Sequence, residues 1–142
     1  MITLKNKAQI SRLRDAGKIT GEALLAGGEA AKPGVSTHQI DTVICRYIEK
    51  CGAKPTFLGY GGFPGSACIS VNDEVIHGIP SVDKILKEGD IVKIDVGAFY
   101  NGYTGDSAAT FAVGEVSEEA ARLISVTKNS FWRGIAAATV NG

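Results

Sequence analysis

The chain has 142 residues, with 15 basic side chains against 15 acidic ones and an apolar content of 44%. That length suits one domain or half of a larger one, and a chain of this size buries ~68% of its unfolded surface without a disulfide or structural metal. The balanced charge, with no run of one sign, excludes binding to nucleic acid or a membrane surface through bulk electrostatics. Cys45, Cys51 and Cys68 are odd in number and lack CxxC spacing, which fits a reducing compartment and excludes a disulfide framework or zinc ribbon. The opening MITLKNKAQISRLRDAG has no apolar signal region, and no stretch approaches the roughly 18 uninterrupted apolar residues of a membrane span. The expected location is cytoplasmic.

From Lys7 to Lys32, apolar residues Ile10, Leu13, Ala16, Ile19, Ala23 and Ala26 recur at helical steps, and Lys32-Pro33-Gly34 ends the pattern. Ser36 and Thr37 can cap a second helix that sets Ile40, Val43, Ile44, Tyr47 and Ile48 on one face and stops near Gly52. The glycine-rich FLGYGGFPG at 57–65 reads as a loop. Ala67–Val71 is β-prone, Asn72-Asp73-Glu74 a turn, and Val75–Pro80 a second short extended piece. After a turn over Leu86–Asp90, Ile91–Phe99 and Tyr103–Val113 form a hairpin around Asn101-Gly102, a strong two-residue turn signal. Ser117 caps a last helix running toward Ala138, with Glu118 and Glu119 in its first turn. Helices, strands, then a helix make an α+β chain without repeats or linkers.

The hairpin raises the functional question. A two-residue turn at Asn101-Gly102 pairs Asp106 with Gly97, so that Asp95 and Asp106 lie diagonally on one face, with α-carbons about 7–8 Å apart. Val92, Ile94, Val96 and Ala98 then make the opposite, apolar face, and a single bulge would break this parity. Two carboxylates so close repel, and spacing alone leaves three readings open: solvated turn residues, a dyad sharing a proton, or a shared cation. His77, before Gly78 at the end of an extended piece, is either structural or functional, and His38 is a solvated helix-start residue. By spacing, Tyr60, Phe63 and Trp132 read as packing residues.

Taken together, GYGGFPGSACISVNDEVIHGIP and LKEGDIVKIDVGAFYNGYTGDSAATFAVG resemble the type I methionine aminopeptidases. The likeness runs from the segment starting at Ile10 through Lys32-Pro-Gly-Val-Ser36 to the final helix. It implies the pita-bread fold: α+β halves around an antiparallel sheet that carries a two-metal site. By this resemblance residues 1–142 form one partial domain, the N-terminal half of the catalytic domain. Asp95 would chelate one divalent ion (Fe, Mn, Co or Zn) and Asp106 would bridge two. His77 would contact the scissile peptide, and Tyr60, Phe63 and Cys68 would line the pocket for a methionine side chain.

The implied activity is removal of the N-terminal methionine from peptides and nascent chains, near ribosomes, by metal-assisted hydrolysis. Gly61 and Thr104 stand where some members carry histidine. The remaining ligands of the family, a histidine and two glutamates, would follow Val140-Asn141-Gly142, so this chain alone is expected to lack part of the site and to be inactive or weakly active. The alternatives are a non-catalytic protein-binding module of the same fold and a homodimer of half-domains.

Overall fold

The computed structural model describes residues 3–139; Val140-Asn141-Gly142, where the resemblance puts the junction with a second half, lie outside the described residues. The helix α1 spans Lys7–Ala30, and Asn6 and Gln9 close a reciprocal capping box at its start. In α2, Thr37–Lys50, Ser36 and Gln39 form the same box. Both helices lie on one face of an antiparallel sheet made of β1 (Lys54–Pro55), β2 (Ala67–Val71), β3 (Ile91–Tyr100) and β4 (Tyr103–Ala112). The central strand is β3. It pairs with β2 along Val92–Val96, with β1 at Ala98–Phe99, and with β4 over its full length on the other side.

The turn at Asn101-Gly102 has positive φ at both residues, 48° and 85°, the backbone that matches the twist of a hairpin and favours this dipeptide. It sets Gly97 opposite Asp106 and Asp95 opposite Ala108, with no bulge along the ladder. The parity expected from sequence is the parity found. Val92, Ile94, Val96 and Ala98 are fully buried against Ile40, Ile44 and Ile48 of α2 and Ala23 and Leu24 of α1.

Contact between α1 and the hairpin is close because Gly105 of β4 lies directly on the helix. A Cβ at residue 105 would come within 2.5 Å of the Ala16 carbonyl oxygen and of Thr20 Oγ1. Asp41 interrupts the apolar stripe of α2, yet it is buried. Its Oδ1 accepts the N–H groups of Ser66 and Ala67 at 2.7 and 2.9 Å, which fixes where β2 begins. Burial raises the Asp41 pKa more than these two bonds lower it.

Three expectations from sequence need correction. Val75–Pro80 is no strand: its only backbone bond to β2 joins the Ile69 N–H to the Gly78 carbonyl, and the chain bends at Ile76. Valine and isoleucine there reflect a propensity that only a neighbouring strand could have used. Trp132 does not pack into a core. It lies on α3 (Glu118–Ala137), none of whose residues is buried, is 57% exposed and meets the Phe131 ring edge-on. Val43 sits at the edge of the apolar face of α2 and is exposed, whereas Ile40, Ile44 and Ile48 are buried. The strand β1 carried no signal, being a two-residue contact made where the chain returns from α2. Among the described residues, no helix is long and apolar enough to cross a membrane.

Two glycine substitutions test this packing. Gly105→Ala is expected to cost about 1–3 kcal/mol, because a helix backbone oxygen cannot move aside. Gly17→Ala, with nothing within 4 Å of its added carbon, is expected to stabilise the protein by roughly 0.5–1 kcal/mol through helix propensity. Urea denaturation of both variants checks the contrast.

Candidate functional site

The face of the sheet away from α1 and α2 carries the candidate site residues. Cys68 on β2 lies opposite Asp95 on β3, so the two share a face, and Asp106 projects from β4 on that same face. Beside them the chain builds a wall from the segment following β1. Gly59, in the left-handed region, starts a short 3-10 turn at Tyr60–Gly62. Phe57, Tyr60, Phe63 and Pro64 from this segment, with Cys68, His77, Ile79, Asp95 and Asp106, enclose a cavity of about 640 Å³. That volume suits a small-molecule or side-chain site. All the site residues expected from sequence, Tyr60, Phe63, Cys68, His77, Asp95 and Asp106, line this one cavity.

Tyr60 therefore does not pack internally: it is 80% exposed at the mouth. His77 is exposed at the rim, while Cys68 is buried in the floor. His38 lies exposed in the first turn of α2 and does not line the cavity.

The two carboxylates differ. Asp106 is exposed on the outer strand, whereas Asp95 is half-buried and its Oδ1 is buried without a hydrogen-bond partner. Burial raises the Asp95 pKa, the Asp106 charge raises it further, and nearby His77 opposes both. Burial first, and then the charges of the same two carboxylates, push the Cys68 thiol up to about 11, so with no cation beside it Cys68 is a neutral wall at pH 7. A buried, unpaired carboxylate oxygen beside a second carboxylate is a costly arrangement that a cation converts into a favourable one. These residues fit part of a divalent-ion site. Among the described residues no cluster of three or more His, Cys, Asp or Glu side chains completes it.

One contact that holds the wall was not expected. Thr56 and Phe57 fold over Gly97, where a Cβ would lie 2.0 Å from Thr56 Oγ1 and 2.9 Å from Phe57 Cε1. Glycine between the two aspartates is thus what lets this wall close against the sheet. The Thr56 N–H, bonded to the Gly97 carbonyl at 3.0 Å, holds the segment in place. No local pattern in the sequence marks this contact. The one available hint was glycine at a β-strand position, which often signals the close approach of another chain segment.

Residues 11–142 match the family model described as metallopeptidase family M24. The chain is 55% identical to a methionine aminopeptidase of Clostridium acetobutylicum over 140 residues, which is 99% of this chain and 56% of that protein. It is 44% identical to methionine aminopeptidase 1 of Bacillus subtilis, covering 95% of this chain and 54% of that one. The fold superposes on the crystal structure of methionine aminopeptidase from Rickettsia prowazekii with a TM-score of 0.92 at 39% identity, over 95% of this chain and 54% of that one. The chain thus spans about half the length of the relatives it matches. Its helices on an antiparallel sheet are the first half of the pita-bread architecture.

The raised pKa of Asp95 yields a signed prediction. A carboxyl whose pKa is raised on folding contributes stability that is fully present below its unfolded value, 3.8, and is lost as pH rises through the folded value. In the presence of a chelator, Asp95→Asn is therefore expected to be more stable than the parent protein at pH 7. The gap should close as pH falls toward 4, as read by urea denaturation at each pH. A gap that does not change with pH contradicts this account.

Proposed function

The chain belongs to metallopeptidase family M24, and on that footing we propose that it forms the N-terminal half of a methionine aminopeptidase catalytic domain, which removes the first methionine from peptides and nascent chains. One observation carries the reading: Asp95, Asp106, His77 and an apolar wall converge on a single cavity. A non-catalytic binding module has no need of a buried, unpaired carboxylate at that point. The likeness to methionine aminopeptidases over nearly the whole chain supports the substrate class.

In this reading Asp95 and Asp106 hold two divalent ions of the Fe, Mn, Co or Zn type. Divalent ions held there would supply Lewis-acid polarisation of a peptide carbonyl and a nucleophilic water near neutral pH. The chain's own residues do the rest. Tyr60, Phe63, Cys68 and Phe57 give the methionine side chain an apolar enclosure, and the neutral Cys68 thiol adds a soft, polarisable contact for its thioether. His77 at the rim donates a hydrogen bond toward the scissile peptide, where charge develops on oxygen during attack. Burial and the Asp106 charge oppose ionisation of the half-buried Asp95 carboxylate and a cation favours it, so occupancy of the site and the ionisation of Asp95 are coupled. The protein would act in the cytoplasm, on chain ends emerging near ribosomes.

Two carboxylates are a small share of the oxygen and nitrogen ligands that five- or six-coordinate ions require. We therefore expect the 142-residue chain by itself to bind divalent metal weakly, with a Kd on the order of 0.1–1 mM. Calorimetry with Mn²⁺ and an assay on a Met-Ala-Ser peptide test this. The expected result is weak binding that Asp106→Asn abolishes, with little or no release of methionine. Binding that survives Asp106→Asn contradicts the metal assignment, and rapid turnover contradicts the claim of incompleteness.

A further inference from the structure

His77 reaches the pocket from a loop that has almost nothing beneath it. The loop leaves β2 at Val71 and is tied at its start, where the Glu74 N–H donates to the Val71 carbonyl at 3.0 Å and the Val71 N–H donates to Glu74 Oε2 at 2.8 Å. Glu74 also pairs with Lys84. Beyond this anchor Val75 and Ile76 project into solvent, 80% and 67% exposed, and support nothing. His77 follows with φ of 56°, in the left-handed region. Histidine tolerates that region better than most residues, yet a non-glycine residue stays there only when its surroundings over-determine it.

The constraint comes from the next residue. Gly78 is buried flat on β2: a Cβ there would lie 2.2 Å from the Ile69 carbonyl oxygen and 2.8 Å from the Ser70 α-carbon. Its carbonyl accepts the Ile69 N–H at 2.8 Å, and its N–H donates to Ser70 Oγ at 2.9 Å. The second bond matters for His77, because the N–H of residue 78 belongs to the peptide unit that directly follows the His77 α-carbon. Fixing that peptide plane fixes ψ of His77. Ser70 is itself only 2% exposed, and it lies on the site face of β2, two residues along from Cys68.

We propose that Ser70 is the positioning residue for His77: its hydroxyl accepts the Gly78 N–H and so locks the His77 backbone in the left-handed conformation that sets the imidazole at the pocket rim. A hydroxyl is the group suited to this place. It is short enough to bond a neighbouring segment lying against its own strand, and it brings no charge next to Asp95. Alanine would leave the Gly78 N–H buried without an acceptor, and the loop would lift to find water. The Ile69–Gly78 bond would remain, so the sheet would stay intact while His77 is released. What the imidazole does with substrate rests on the reading given above; its backbone conformation does not.

Nuclear magnetic resonance on the full 142-residue chain tests the proposal with Ser70→Ala and Ser70→Thr. Positive φ brings the amide and α hydrogens of one residue close, so His77 should give a strong intraresidue amide-to-α cross-peak in the parent protein. Ser70→Ala should keep the β3 and β4 amide shifts but weaken that cross-peak toward the ordinary level. It should also reduce the affinity for L-methionine amide, followed at the His77 ring, at least fivefold. Ser70→Thr, which keeps the hydroxyl, should retain the strong cross-peak. A cross-peak unchanged in Ser70→Ala overturns the proposal, as does loss of the β3–β4 shift pattern together with it, since Ser70 would then serve the sheet as a whole. If methionine amide leaves the parent His77 ring unmoved while the cross-peak responds as expected, the substrate reading fails and the positioning role stands.

Discussion

A two-residue turn decides which way the side chains of β3 and β4 point. Asn101 and Gly102 adopt the paired positive φ angles that a tight hairpin requires, and the ten residue pairs that follow inherit their facing from it. Because side chains alternate along a strand, a slip of one residue would turn Val92, Ile94 and Val96 outward and bury Asp95 beneath α1 and α2. The apolar core and the carboxylate pair are thus two consequences of one register. Each protects the other: the core penalises any slip that would scatter the site.

The sheet built on that register is asymmetric. Its inner face is closed by two capped helices, and α1 approaches so tightly at Gly105 that the hairpin has no freedom to slide. Its outer face holds an ionisable group with an unpaired buried oxygen, a neutral thiol and a histidine whose backbone is strained. The unpaired carboxylate oxygen and the strained histidine work against stability, and the inner face offsets them. Concentration of unfavourable features on one face of a well-packed unit is the usual mark of a site whose complement is a ligand.

Much of this was legible because local chemistry settled it. Ser36 before a three-and-four periodicity, and Asn-Gly between alternating strands, each admit few structures, and the elements they announced are those present. Asp41 was legible in principle as a charge within the apolar stripe of α2, although what it caps lies 25 residues away at Ser66. Three features were not legible. Val75 and Ile76 look like strand residues and are loop residues, because no strand lies beside them to use their propensity. Thr56 and Phe57 meet Gly97 only through the tertiary return of the chain after α2. The aromatic residues of α3 resemble core residues in composition and are exposed throughout the helix. Spacing alone left the two aspartates with three readings; the shared cavity and the unpaired oxygen of Asp95 are what favour a cation over solvated turns.

The central claim is that Asp95 and Asp106 share a cation on the outer face of the sheet. Anomalous diffraction from crystals soaked in a high concentration of Mn²⁺ tests it most directly. The account predicts a peak within ligating distance of carboxylate oxygens of both Asp95 and Asp106, at the floor of the cavity beside Cys68. A structure with Mn²⁺ bound elsewhere and neither carboxylate engaged would contradict it.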